Sequence, residues 1–306
     1  MDERYAALII DLKQSKKIDD NSKVEAKTKL GYSINCINRC LNKQIVAPLV
    51  FSKGDSIQGL FLDIESAVSS FFIMKYLLYP YEIRCGIGYG EIDSIHKEKF
   101  FQEHKMVNSN IYDGESYHYA NYAIELAKES HHDFLIFSTD QNRLNSGAIE
   151  EQCAILNEII AGAQELESGI SKKRKEAFIL ANILCPIVHL VYNEDEVNFF
   201  VKSSLKKYEL KSQNSKVFEI YSVFNEQYLK FIATKKRMRV GMTNEIKRYD
   251  LLFGDPFPSF MRNVFTELIG FTEENNRQII KNGKFNEIRK LQKAAIEFSK
   301  NIGRHV

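Results

Sequence analysis

Between Tyr5 and Ser138 short apolar runs of strand length alternate with long amphipathic stretches, and after Asn145 the strand pattern stops. YAALIIDL (5–12) is an apolar run ending in a carboxylate, the signature of a buried strand. From Asn21 to Asn42 apolar residues recur near helical spacing, which predicts a long helix. Pro48 opens a second strand, LVFSK, and Gly54-Asp55 supplies a turn before SIQGLFL, so the two runs read as a β-hairpin. A helix is predicted from Ile64 to Leu78, ending before Pro80. EIRCGIGYGEI then forms a glycine-studded strand, a helix follows from Glu115 to Glu129, and DFLIFS (133–138) closes the series. The order β-α-ββ-α-β-α-β contains two strand–helix–strand halves on one sheet, a ferredoxin-like α+β arrangement with helices expected over one face.

Beyond Asn145, residues 148–168, 172–192 and 196–232 lack strand alternation and read as helices. Gly254, Pro256 and Pro258 break the chain, and helices resume from Phe260 to Ile302. Two domains are therefore expected, an α/β domain over 1–145 and a helical region over 146–306. Hydrophobic residues make up 44% and charged residues 27%, which excludes a disordered chain. Five cysteines without repeated spacing argue against a secreted disulfide scaffold and for a reducing cytoplasm, and the charged start MDERYAALII lacks a signal-peptide pattern. The longest apolar run, Ala177 to Tyr192, is short of the ~20 residues that a membrane helix needs. A buried core helix is the better reading, and no membrane partner is expected.

The net charge of +2 conceals a split. Of the 42 basic and 40 acidic residues, Val201–Val306 hold 21 and 11, leaving 21 and 29 to residues 1–200. Such asymmetry points to nucleic-acid contact or to one region docking on another, and a solvated helical face accounts for it equally well.

Asp11 ends the first strand and Asp55 sits in the hairpin turn. If the two strands are neighbours, both carboxylates emerge at one sheet edge. That pair suits Mg²⁺, which binds oxygen ligands and commonly takes one or two carboxylates plus substrate phosphates. Lys13, Ser15, Lys53 and Gly54 surround the pair in sequence and are the candidate nucleotide-binding residues, with free amides near a helix start. As plain alternatives, Asp11 is a cap and Asp55 a hairpin residue.

Four blocks carry a resemblance: IIDLKQS, FSKGDSIQGLF, IRCGIGYGEI and DGESYHYANYAIELAKE. In that order they resemble the SatD family of bacterial proteins, through Gly54, Asp55, Gln58, Gly59 and Leu60, through Arg84 and Gly86 to Ile92, and through Asp113, Gly114, Tyr117 and His118. More distantly, residues 4–138 are similar to the catalytic domain of class III nucleotide cyclases. That resemblance implies a metal site at Asp11 and Asp55, Mg²⁺ as cofactor, a nucleotide ligand and a homodimer. The cyclases carry an Asn and an Arg on the helix matched by YHYANYAIE, where His118 and Tyr122 stand here. Tyr122 cannot replace a guanidinium at a phosphoryl transition state, so binding survives the comparison better than turnover. Lys128 and Lys13 are candidates for the missing positive charge, and His118 is the candidate catalytic residue. Near 260–302, Leu268 to Thr272 resemble the turn of a helix-turn-helix. Asn276, Arg277, Gln278 and Lys281 would then be DNA-binding, with a dimerising helical bundle as the alternative.

Two functions stay open. One is a cytoplasmic bacterial regulator that binds a nucleotide with Mg²⁺ through the first domain and DNA or a protein partner through the second. The other is an active nucleotide cyclase or related nucleotidyltransferase.

Overall fold

β1 (Tyr5–Leu12) is buried along nearly its whole length, which a strand achieves only when both of its faces are covered. The computed structural model describes residues 3–52, 54–93, 113–139, 146–187, 190–204, 217–240, 268 and 272–303. Among these, β1 lies at the centre of a five-stranded sheet of order β2-β3-β1-β4-β5. β3 (Ile57–Phe61) and β4 (Ile83–Gly90) flank β1, both antiparallel to it. β2 (Ile45–Phe51) pairs antiparallel with β3, and β5 (Phe134–Phe137) runs parallel to β4. β1 and β2 thus enclose β3, and β3 and β4 enclose β1, giving two split β-α-β units joined by α1 (Asp20–Cys40) and α2 (Ile64–Leu77).

Both helices begin on a side-chain cap. Asp19 accepts a hydrogen bond from the Ser22 amide at 3.0 Å, and Asp63 from the Ser66 amide at 2.7 Å. α2 is buried on nearly every side, which explains why IESAVSSFFIMKYL shows no polar stripe.

The expectation that the helices cover one face is corrected. Side chains alternate along a strand, and Ala7 and Ile9 pack with Tyr117, Ala120 and Ile124 of α3 (Glu115–Glu129). Phe71 of α2 instead stacks on Phe134 of β5 at 4.8 Å. Phe134 lies opposite Cys85, whose neighbours Gly86 and Gly88 sit under α3. α2 and α3 therefore cover opposite faces. The cause is the glycine face of β4: a Cβ on Gly88 would lie 2.0 Å from the Ser116 carbonyl oxygen and 2.2 Å from the Ala120 nitrogen. Only a strand without side chains there lets the helix backbone approach so closely.

An asparagine amide caps one residue on each edge strand. At β2, Pro48 lies within the strand rather than opening it, which an edge strand tolerates. Register shifts on either side of Ala47 mark an irregular ladder there, and Asn38 of α1 bonds both the Leu49 N–H (2.8 Å) and the Leu49 carbonyl (2.9 Å). At β5, Asn157 does the same for Ile136, at 2.8 and 3.1 Å.

The helical part comprises α4 (Ser146–Ser168), α5 (Lys172–Leu184), α6 (Glu194–Ser204), α7 (Val217–Val240), α8 (Glu273–Asn282) and α9 (Phe285–Ser299). α5 stops well short of the expected residue 192, because Pro186 disfavours helical geometry in the residue before it. The helix expected over 196–232 is represented by α6 and α7, and residues 205–216 lie outside the described ones. Among the described residues no helix is long and apolar enough to cross a membrane.

The chain divides into two compact units, Met1–Ala161 with Ala295–Val306, and Gly162–Ala294. The sequence places its boundary at 145/146 and does not anticipate that the last residues return to the first unit. Within that unit Lys300 pairs with Glu65 at 3.4 Å and Glu297 at 2.8 Å, and the Gly303 amide donates to Gln152 at 3.1 Å. In the second unit Phe178 of α5 stacks on Phe285 of α9 at 4.9 Å. Buried Arg289 donates to Asn182 Oδ1 (2.8 Å) and to the Cys185 carbonyl (2.7 Å).

Candidate cation and phosphate site

Asp11 is the penultimate residue of β1, opposite Arg84 of β4, and Ile10 before it lies opposite Ile57 at the start of β3. The hairpin turn Gly54-Asp55-Ser56 is thereby level with the end of β1. Gly54 adopts φ 68°, a conformation that favours glycine, and the Ser52 amide closes the turn onto the Ser56 carbonyl at 2.9 Å.

Asp11 and Asp55 come together here. Ser56 Oγ donates to Asp11 Oδ1 at 3.4 Å, and Lys128 Nζ of α3 stands 3.8 Å from Asp11 Oδ2. Burial raises the Asp11 carboxyl above its ordinary value, and the charge of Asp55 raises it further. Lys128, the Ser56 hydrogen bond and Arg84 pull it down. Asp55 Oδ2 is buried without a hydrogen-bond partner, a costly state for a carboxylate oxygen.

Beside Asp55 lies a cavity of about 390 Å³. Its walls come from Leu12, Ser15, Lys16 and Ile18 after β1, from Lys23, Ala26 and Lys27 on the first turns of α1, and from Gly54 and Asp55. Three lysines and a carboxylate line this one hollow, the Lys23 ammonium pairing with Asp20 at 3.0 Å, and such a lining suits a polyanion whose charge is bridged to the carboxylate by a cation. The donor set fits Mg²⁺ in this respect: hard oxygen ligands, one of them unpaired, beside room for phosphates. Among the described residues no group of three or more His, Cys, Asp or Glu side chains is arranged to hold a metal. A cation at this edge would therefore draw its remaining ligands from phosphate and water.

The other expected site residues are placed as follows. Ser15 and Gly54 line the cavity. Lys13 does not: its ammonium pairs with Asp133 and lies 3.7 Å from Glu82 Oε2. Lys53 lies outside the described residues. His118 is 72% exposed and 3.6 Å from Asp113 Oδ1. Ten residues separate it from Lys128 along α3, roughly 15 Å at helical rise, so it is not brought to Asp11. Tyr122 stacks on Phe137 at 4.6 Å. Arg277, Gln278 and Lys281 are exposed on α8, which also contains Asn276. Thr272 caps that helix by accepting from the Asn275 amide at 3.3 Å, as its sequence suggests. The helix expected before the turn falls on residues outside the described ones, apart from Leu268.

Sequence reasoning missed Ser56, Lys16, Lys23 and Lys27. Lys23 and Lys27 are one helical turn apart and Lys16 adjoins Ser15, a spacing that could have flagged a basic face beside Asp11.

Comparison with protein-family models matches residues 5–223 to the SatD family. The chain belongs to the SatD family. The SatD match spans the whole sheet and runs on through α4, α5 and α6 into α7, so it is not confined to the α/β part. It stops before α8, and the helix-turn-helix candidates lie beyond it. No curated protein and no solved structure matches the chain.

Proposed function

We propose that this SatD protein is a regulator whose sheet unit is a ferredoxin-like, cyclase-like domain that binds a nucleotide with Mg²⁺ at Asp11 and Asp55. One observation carries the reading: Asp55, with a buried and unpaired carboxylate oxygen, lines a cavity together with three lysines. The strand order and the two split β-α-β units support the topology. Asp11 and Asp55 would hold the cation, which neutralises phosphate charge and ties it to the sheet edge. Lys16 and Lys27 would face the phosphates, Lys23 would join them by leaving its exposed partner Asp20, and Ser15 and Gly54 would offer hydroxyl and amide donors.

Binding without turnover is the favoured form. Tyr122 offers no charge to a pentavalent phosphorus, and His118 lies far along α3 from the carboxylates of its own chain. Cyclase-like domains build their sites between two copies, so a homodimer is part of the reading. The basic C-terminal region, through Asn276, Arg277, Gln278 and Lys281, would contact DNA or a protein partner.

Equilibrium binding of the four nucleoside triphosphates, with and without Mg²⁺, tests this. At least one is expected to bind in a Mg²⁺-dependent manner, with affinity falling about tenfold or more in Asp55→Asn. Binding indifferent to both Mg²⁺ and Asp55→Asn contradicts the proposal. Pyrophosphate release that depends on Asp55 would instead make the protein an active nucleotide cyclase or related nucleotidyltransferase.

A further inference from the structure

Two carboxylates held close and half-buried need positive charge nearby whether or not a divalent cation is bound. The protein supplies it from Lys128 and Arg84, and the basic side chains at this end of the sheet differ in freedom. Arg84, opposite Asp11 on β4, donates through Nε to the His132 carbonyl at 3.3 Å. Lys13 is committed to Asp133 and Glu82. Lys128, in the last turn of α3, is shared: its ammonium is 3.8 Å from Asp11 Oδ2 and 2.6 Å from Glu125 Oε1. Glu125 lies three residues back on the same helix and is 64% exposed, against 22% for Asp11.

We infer that Lys128 is a built-in counter-cation for the Asp11–Asp55 pair, shared between Glu125, to which it donates, and Asp11 while no divalent cation is present, and left to Glu125 alone when one binds. This rests on the reading of Asp11 and Asp55 as cation ligands. A divalent ion on Asp11 Oδ2 repels an ammonium at that distance, so the two compete for one oxygen. The four-carbon stem of lysine allows the ammonium to draw away from Asp11 without the backbone, and Glu125 already holds it. The cost of an empty site is thereby reduced, and the affinity for the free cation is reduced by the same coupling.

Mn²⁺ binding to the full chain, followed by the electron spin resonance of the free ion, tests this without any nucleotide. Lys128→Met keeps the stem and removes the charge, and is expected to tighten Mn²⁺ binding about fivefold, the size of a partly exposed ion pair. Glu125→Gln is expected to weaken binding, because Lys128 loses its second seat. In the Lys128→Met background Glu125→Gln is expected to change nothing, whereas simple long-range charge would weaken binding there too. Unchanged or weaker binding in Lys128→Met overturns the inference, as does an equal effect of Glu125→Gln in both backgrounds. Asp55→Asn separates the two levels. If it abolishes Mn²⁺ binding while Lys128→Met has no effect, only the counter-cation falls. If it leaves Mn²⁺ binding intact, the cation site falls and the inference with it.

Discussion

Burial and the neighbouring charge of Asp55 hold the carboxyl of Asp11 above the ordinary carboxylate range, and such a shift is also a statement about folding. The folded chain keeps this proton to higher pH than the unfolded chain does. Its contribution is intact below the ordinary value of about 4 and is lost as pH rises through the raised value. Asp11→Asn, neutral throughout, is therefore expected to raise the melting temperature at pH 7 by about 2–4 °C, with the gain vanishing near pH 4. Melting curves across that range check it, and an equal or lower melting temperature at pH 7 contradicts it. The proximity of Asp11 and Asp55 was legible because each stands at a marked place, the end of an apolar run and a Gly-Asp turn. Lys16, Lys23 and Lys27 carried only their spacing as a signal, because a lysine lining a hollow is spelled like one on any solvated helix. His118 and Lys13 show the converse limit. Their order along the chain says nothing of the roughly ten-residue helical distance, or of the Asp133 and Glu82 carboxylates, that keep them from the cavity.

Strands and helices were read mostly within a few residues, since their periodicities are local, but the side of the sheet that each helix takes was not. The signal was present in CGIGYG, where Gly86, Gly88 and Gly90 fall on one face of β4 and clear it of side chains. α3 uses that clearance, and its placement sets Lys128 beside Asp11. Gly88→Ala forces backbone atoms apart and is expected to cost about 2–4 kcal/mol. Gly31→Ala in α1 meets nothing within 4 Å and is expected to be neutral or to stabilise by up to about 1 kcal/mol. Urea midpoints of the two variants measure the contrast, and similar midpoints would contradict the close packing of α3. The amides of Asn38 and Asn157 were likewise invisible in sequence, because each depends on a strand edge being next to a particular helix position. Each occupies the backbone groups of one residue on an edge strand, Leu49 and Ile136, that would otherwise be open to pairing.

Across the whole molecule, the acidic first two hundred residues contain the candidate cation site and the basic remainder contains the exposed polar helix α8. The SatD match covers the first of these features and ends before the second, so the two rest on different grounds. The cavity and its carboxylates rest on geometry, and α8 on residue types and a capped turn. The return of Ala295–Val306 to the sheet unit could not be read from the sequence, because it is fixed by tertiary contacts such as Lys300 with Glu65. The account as a whole depends on a cation gripped by two carboxylates and carrying phosphates. Crystals grown with Mn²⁺ and a non-hydrolysable nucleoside triphosphate, with the ion located by anomalous scattering, test that most directly. The account predicts an ion about 2 Å from oxygens of both Asp11 and Asp55, with phosphate density in the hollow lined by Lys16, Lys23 and Lys27. An ion elsewhere, or phosphates bound away from that hollow, would contradict it.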